Sequence, residues 1–223
     1  MSVQDLESTR FDAVLFDFGG VFMDSPFAHA EDAAGRLGIP FDQLSAVVFG
    51  SYDRDDDHPW HRLERGEVPL EVARAEIVEL SRQAGLPDLD PLDVMATMGS
   101  SGEPREFMSD LVRDIRGAGL KTGLVTNNVA EFAAFWRRIV PLDELFDDVI
   151  DSSAVGVRKP NAAIFSLACE RLSVEPERAL FIDDYEGNVQ GAQRAGLTAV
   201  CCGYTAETAR AAVVHVREML TRP

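Results

Sequence analysis

The chain has 223 residues, of which 46% are hydrophobic, so it is long enough for one compact domain or a domain with a modest insertion. Its 38 acidic residues against 21 basic ones give a formal net charge of −17, which excludes nucleic acid and anionic membranes as general partners. No apolar run approaches the roughly 18 residues that a membrane span needs. The acidic N-terminus has no apolar signal-peptide core, so the sequence predicts a soluble, cytoplasmic protein.

Cysteine usage agrees with a reduced compartment. Three cysteines are too few for a disulfide framework. Cys201 and Cys202 lie in the apolar run LTAVCCGY, and we interpret both as small buried hydrophobic residues rather than as a redox pair.

Five short apolar runs are predicted to be buried strands, because they are continuous rather than alternating. Helical patterns follow each of them, and such alternation gives a parallel sheet with helices on both faces. The sequence therefore predicts an α/β fold, with a Rossmann-like doubly wound parallel sheet as its core. The predicted strands lie in 13–18, 121–128, 147–156, 179–185 and 197–203, and the helices in 103–119, 129–140, 160–172, 187–196 and 205–220.

One region, residues 23–99, has helical patterns only. Two of its predicted helices, within 28–38 and 71–85, end in glycine, as helices commonly do. We interpret the region as an all-α domain inserted after the first strand, with the core formed by residues 1–22 and 100–223. The insertion leaves and rejoins the core through FMDSP and ATMGSSGE, and the second connection, rich in glycine and serine, is a predicted hinge for opening of the cap.

Polar residues follow the predicted strands where ligands bind to open parallel sheets, beyond the carboxyl ends. Asp17 follows the first strand, Thr126, Asn127 and Asn128 the second, and Asp183 and Asp184 the fourth, while Lys159 precedes a helix. Any one of them could be a helix cap or a turn residue. Together they predict a single site with carboxylates, a hydroxyl, amides and an ammonium group.

The set resembles the haloacid dehalogenase superfamily, whose members are mostly magnesium-dependent phosphatases. The matching motifs are DFGGV, LVTNN, VRKPNAAIF and FIDDYEGNVQGAQRAG, in that order, and the insertion stands where members carry a helical cap. The segment WHRLERGEV is similar to the cap of the branch that includes the N-terminal domain of soluble epoxide hydrolase and sugar-phosphate phosphatases. The resemblance covers nearly the whole chain and implies a hydrolase of phosphoric monoesters.

The resemblance also implies roles for individual residues. It assigns catalysis to Asp17 as the nucleophile, assisted by Lys159 and Thr126. A Mg²⁺ cofactor is expected, because a hard dication with oxygen ligands neutralises the charge between two anions. Its ligands would be the carboxylates of Asp17 and Asp184 and the carbonyl of Gly19. The phosphate is expected to contact Phe18, Gly19, Thr126, Asn127 and Lys159. Asp183 and Asn188 are expected to orient these groups without contacting the phosphate or the metal themselves.

Gly19 departs from the family pattern, because most phosphatases of the superfamily have a second aspartate there that acts as general acid and base. A tuned general acid contributes about two to four orders of magnitude in rate. Asp24 either replaces this acid or only initiates the turn before Pro26. The substrate is expected to be a small phosphorylated metabolite, such as a sugar phosphate, and the sequence carries no signal for the oligomeric state.

Two other functions remain open. A haloacid dehalogenase would attack carbon with the same aspartate and need no metal, against which the pair Asp183–Asp184 argues. A binding protein would keep the phosphate pocket and have lost turnover with Gly19.

Two further patterns have simpler interpretations. His58 and His61 are potential metal ligands or cap residues facing the substrate, but we favour a solvated acidic loop, since no second histidine or cysteine cluster accompanies them. Phe132, Phe135 and Trp136 recur at helical spacing, which is typical of core or cap-contact residues.

Overall fold

The computed structural model describes residues 9–99 and 103–221. Its centre is a sheet of five parallel strands in the order β3-β2-β1-β4-β5, so that the first strand lies in the middle. Each predicted apolar run contains one of these strands. They are β1 (Ala13–Phe16), β2 (Lys121–Thr126), β3 (Asp148–Asp151), β4 (Ala179–Asp183) and β5 (Thr198–Cys201).

Among the described residues, six α-helices lie between β1 and β2, and one or two follow each of the other strands. In chain order they are α1 (Ala30–Leu37), α2 (Phe41–Val48), α3 (Pro59–Glu64), α4 (Leu70–Gln83), α5 (Pro91–Met98), α6 (Glu106–Gly117), α7 (Ala133–Trp136), α8 (Leu142–Leu145), α9 (Ser152–Val155), α10 (Ala162–Leu172), α11 (Glu186–Arg194) and α12 (Ala206–Leu220). None of these helices is long and apolar enough to cross a membrane.

Both faces of the sheet are covered. Successive residues of a strand point to opposite faces. Val14 and Phe16 pack into an apolar cluster with α6 and α12, whereas Ala13 and Leu15 pack into another with α10 and α11. This two-sided burial explains why the strand sequences are continuously apolar, and it confirms the predicted doubly wound α/β fold.

Helices α1 to α5 have an apolar cluster of their own, which includes the buried side chains of Leu44, Trp60, Ile77 and Val94. We propose that they form the inserted cap domain, with bounds near residues 23 and 99. Residues 100–102 of the predicted hinge lie outside the described residues, as do residues 1–8 of the N-terminus. Hinge opening stays a prediction.

Two predicted elements are wrong in extent. The third strand ends at Asp151 rather than near residue 156, because the Asp151 side chain accepts a hydrogen bond from Ser153 N (3.0 Å) and caps α9. The helix predicted over 129–140 is a 3₁₀ turn, Ala130–Phe132, followed by the single turn of α7. Consequently Trp136 is buried, while Phe135 is 73% exposed and is not a core residue.

The prediction of two buried cysteines is half right. Cys202 is buried, but Cys201 is exposed. The reason is its place at the end of β5, which is an edge strand and pairs with β4 only.

Candidate active site

Asp17 and Lys159 form the centre of the site. Asp17 follows β1 directly, and its backbone N–H donates to the carbonyl of Ile182 (2.8 Å), which fixes the end of β1 against β4. The Lys159 ammonium lies between two carboxylates, 2.6 Å from Asp17 Oδ1 and 2.7 Å from Asp183 Oδ2. All three side chains are buried, so the contacts act in a medium of low dielectric constant.

Asp183 is engaged through both carboxylate oxygens. Oδ1 accepts the backbone N–H of Tyr185 (2.8 Å), and the amide of Asn188 donates to Oδ1 and Oδ2 (3.2 and 3.1 Å). With the Lys159 ammonium on Oδ2, each oxygen of the carboxylate accepts two hydrogen bonds. This arrangement suits a group that positions the lysine.

Asn127 holds the backbone of Lys159 from the end of β2. Its side-chain oxygen accepts the N–H of Lys159 (2.8 Å), and its amide donates to the Lys159 carbonyl (3.0 Å). Thr126 is buried beside it, and both residues line the same cavity as Asp17, Phe18 and Gly19. The structure thus brings together the predicted site residues from three strand ends.

The carboxylates form a cluster in which one oxygen from each of Asp17, Asp183 and Asp184 lies within 4.8 Å of the others. Burial raises the pKa of Asp17 to about 7, against the opposing effect of Lys159. Burial, together with the charges of Asp183 and Asp17, also raises the pKa of Asp184. Burial alone would lower the pKa of Lys159, but its two carboxylate partners outweigh it and raise that pKa.

Two buried acceptors of the site lack a hydrogen-bond partner among the described residues: Asp184 Oδ2 and Asn188 Oδ1. Buried polar groups are normally paired, so unpaired acceptor oxygens beside buried carboxylates are suited to coordinate a cation. Carboxylate and amide oxygens are ligands that Mg²⁺ and Ca²⁺ accept. The residues present therefore fit a hard divalent cation, which would also favour the ionised carboxylates.

Gly20 makes room for Asp184. It has a φ of 71°, a conformation that side chains rarely adopt, and a Cβ added there would lie 2.0 Å from Asp184 Oδ2. Glycine is therefore required at position 20 for two separate reasons.

Two residues of the site were not predicted. Ser25 is buried, and its hydrogen bond to Asp184 lowers the pKa of that carboxyl against the effect of burial. The Arg105 guanidinium donates to the carbonyl of Gly20 and to that of Tyr204 (3.0 Å) and lies 3.4 Å from Asp24 Oδ1. Ser25 could have been found from its place within FMDSP, directly after Asp24, but Arg105 has no motif that marks it.

The preference for a solvated loop around His58 and His61 is wrong for His61, which is fully buried with Nδ1 2.8 Å from Asp56 Oδ1. His58 is the N-cap of α3, and its Nδ1 accepts the N–H of Trp60 (3.1 Å). Pro59 at the start of α3 and the His58 cap begin the helix at this point, so the loop is shorter than its run of charged residues suggested. Neither histidine belongs to the acidic cluster.

A cavity of about 490 Å³ lies over Asp17. Thr126, Asn127, Lys159, Asp184 and Asn188 line it from the core side, together with Phe132 and Trp136, and Asp24 lines it from the start of the inserted segment. Helices of the inserted segment supply further wall residues, among them Trp60 and Met95. A ligand in this cavity would therefore contact both parts of the chain.

Comparison with known proteins gives relatives of two kinds. Acyl-CoA dehydrogenase family member 10 of Mus musculus is 30% identical over 189 residues, which are 83% of this chain but only 17% of that protein. Pyrophosphatase PpaX of Bacillus cereus is 30% identical over 202 residues, which are 88% of this chain and 85% of that protein. This chain is thus similar over most of its length to a protein named as a pyrophosphatase.

A solved structure shares the fold. It is a HAD family enzyme from Bacteroides thetaiotaomicron in complex with magnesium and inorganic phosphate, with a TM-score of 0.60 and 19% identity over 87% of this chain and 95% of that one. A family model described as haloacid dehalogenase-like hydrolase matches residues 11–196, which contain every strand except β5 and all the residues of the acidic cluster. The chain belongs to the haloacid dehalogenase-like hydrolase family.

Proposed function

We propose that this hydrolase is a magnesium-dependent phosphatase that acts on small phosphate monoesters through a covalent aspartyl-phosphate at Asp17. The observation that carries the proposal is the buried contact between Lys159 and Asp17 beside the unpaired oxygen of Asp184. The pyrophosphatase name of the Bacillus cereus relative and the magnesium and phosphate held by the Bacteroides thetaiotaomicron enzyme support it.

The metal would be held by the carboxylates of Asp17 and Asp184 and by the carbonyl of Gly19, with Asp183 and Asn188 behind them. When bound, Mg²⁺ neutralises charge on the phosphoryl group and on the attacking carboxylate. Asp183 is better suited to Lys159 than to the metal, because its oxygens already accept four hydrogen bonds. This division of roles distinguishes the two adjacent aspartates.

The chemistry begins when an Asp17 oxygen attacks phosphorus. A bond forms between that oxygen and phosphorus, the bond from phosphorus to the ester oxygen breaks, and the alcohol leaves with a proton. Water then attacks the aspartyl-phosphate, which releases inorganic phosphate and restores Asp17. Lys159, Thr126, Asn127 and the amides of Phe18 and Gly19 would hold the phosphoryl oxygens during both steps.

The proton for the leaving group has no obvious donor, because position 19 is glycine. Asp24 lines the cavity, and its Oδ1 lies 3.4 Å from the Arg105 guanidinium, so this carboxyl group is engaged in an ion pair rather than presented to the leaving alcohol. The alcohol would take its proton from solvent.

The test is phosphate release from an aryl phosphate after chelator treatment, with and without added Mg²⁺. Asp17→Asn should abolish metal-dependent release, whereas Asp12→Asn, which changes an exposed carboxylate paired with Arg178, should not. Substantial activity of the Asp17→Asn protein would show that Asp17 is not the nucleophile. Chloride release from 2-chloropropionate without metal would identify a dehalogenase, and phosphate binding without turnover a binding protein.

A further inference from the structure

We propose that the preferred substrates are phosphate monoesters of apolar alcohols, with an alkyl or aryl-alkyl group in the cavity, rather than phosphorylated sugars. The inference rests on the proposed phosphatase function and specifies its substrate class. It departs from the sugar phosphate suggested by the sequence.

Five polar groups of the cavity lie together at one end. Asp17, Thr126, Asn127, Lys159 and Asp184 all come from the carboxyl edge of the sheet or from the loop that Asn127 holds against it. These are the groups assigned above to the phosphate and the metal. They are therefore committed to the phosphoryl end of the substrate and do not bind its alcohol part.

The remaining wall is largely apolar. From the inserted segment come Phe49, Trp60 and Met95, and from the core segment after β2 come Val129, Phe132 and Ile139. Two independent parts of the chain thus present hydrocarbon and aromatic surface to the same space. Ligand pockets place a few polar groups where orientation matters and apolar groups elsewhere, so this wall indicates an apolar alcohol.

Several polar atoms of this wall are already paired with protein. Glu64 accepts Trp60 Nε1 (3.1 Å) on one oxygen and Arg158 Nε (2.7 Å) on the other. The Tyr185 hydroxyl donates to Asp53 Oδ1 (2.9 Å). The hydroxyl groups of a sugar would lose water and find these partners taken, and buried polar groups without partners are costly.

The apolar surface continues to the outside. Phe135 lines the cavity and is 73% exposed, the highest value among the large hydrophobic side chains described. It lies in α7, in the same short segment that supplies Phe132 to the wall. An apolar group entering over Phe135 would stay in contact with apolar surface from solvent to the cavity.

The test compares ethyl, butyl and hexyl phosphate with glucose 6-phosphate, with Mg²⁺ present. All four release a primary alcohol, so leaving-group chemistry varies little along the series. We expect kcat/KM to rise roughly two- to fourfold per methylene, and hexyl phosphate to exceed ethyl phosphate on the order of a hundredfold. Equal rates along the alkyl series, or glucose 6-phosphate matching hexyl phosphate, would overturn the proposal.

A binding measurement separates this proposal from the phosphatase function. Calorimetry with ethylphosphonate and hexylphosphonate, which are not hydrolysed, should show much tighter binding of the longer chain. Hydrolysis of aryl phosphate with equal affinity for the two phosphonates would leave the phosphatase standing and refute the apolar substrate. Tighter hexylphosphonate binding without hydrolysis of any ester would refute the phosphatase and support the apolar cavity.

A matched pair of variants locates the effect. Met95→Gln keeps the length of the side chain and makes one part of the wall polar, so the ratio of kcat/KM for hexyl over ethyl phosphate should fall several-fold. Leu37→Gln makes the same kind of change on an exposed surface of α1, away from the cavity, and should leave the ratio and the activity unchanged. A ratio unaffected by Met95→Gln would contradict the assigned wall.

Discussion

Arg158 and Glu64 form a buried ion pair that joins the two parts of the chain. Arg158 Nε lies 2.7 Å from Glu64 Oε2, and the two side chains are 0% and 5% exposed. Arg158 directly precedes Lys159, while Glu64 ends α3 and also accepts Trp60 Nε1. The pair therefore ties a wall of the cavity to the residue that contacts Asp17.

Removing one charge of this pair should be costly, because it leaves the other buried without compensation. We expect Glu64→Gln to lower the free energy of unfolding by about 3 kcal/mol, measured by urea denaturation. The double variant Glu64→Gln/Arg158→Met removes both charges and should recover most of this loss. If Glu64→Gln unfolds at the same urea concentration as the parent, the pair does not stabilise the fold.

The contact between Gly20 and Asp184 can be tested with a control that the chain itself offers. Gly38 has nearly the same φ as Gly20, 68° against 71°, but a Cβ on Gly38 would meet nothing within 4 Å. Both alanine variants should lose about 1–2 kcal/mol of stability from the backbone. Only Gly20→Ala should also weaken Mg²⁺ binding in calorimetry, as we expect of Asp184→Ala. Equal metal affinity of the Gly20→Ala and Gly38→Ala proteins would contradict the proposed role of Asp184.

Gly19 should make hydrolysis sensitive to the leaving group. Without a carboxyl group at this position, a poor leaving group departs without an internal proton donor. We expect kcat/KM to fall steeply as the leaving-group pKa rises across a series of substituted phenyl phosphates. Gly20 but not Gly19 has a positive φ, so Gly19→Asp is compatible with the backbone and should flatten this dependence. A flat dependence in the parent enzyme, with chemistry rate-limiting, would mean that another group donates the proton.

His61 should make the fold sensitive to acid. Burial lowers the pKa of His61 to about 4, so the unfolded chain, with an ordinary histidine pKa near 6.5, takes up its proton first as pH falls. The contribution of neutral His61 is complete above pH 6.5 and is lost toward pH 4, which amounts to about 2 kcal/mol between pH 7 and pH 5. Urea unfolding at both pH values should show a smaller acid loss for His61→Gln than for the parent, and His215→Gln, at an exposed position, should behave like the parent. Identical pH dependence of all three proteins would refute this account.

Local sequence was sufficient to predict elements whose structure depends mainly on neighbouring residues. The continuous apolar run of Ala13–Phe16 indicated a strand covered on both faces, and polar residues at several strand ends were then expected to meet at one edge. At Asp151 the same reasoning failed, because a short acidic side chain can either extend a strand or cap a helix, and the pattern does not separate the two.

Long-range packing was beyond the sequence. His61 is buried because the chain passes tightly at Gly50, where an added Cβ would lie 2.7 Å from the imidazole Nε2. Arg105 reaches the Gly20 carbonyl only after α6 has packed beside β1. The charged residues of the loop before α3 suggested that His61 is exposed to solvent. Its packing against Gly50 buries it instead.

Binding of a cation by the acidic cluster should also be coupled to folding of the chain. Asp17 and Asp184 follow β1 and β4, which are neighbours in the sheet but lie near opposite ends of the chain. In the unfolded chain these carboxylates are too far apart to act as one chelate, so a bound cation favours the native state alone. At a concentration 100 times its dissociation constant, such a ligand adds about 2.7 kcal/mol to the free energy of unfolding. The melting temperature of the protein would therefore rise with magnesium concentration, in the absence of any substrate.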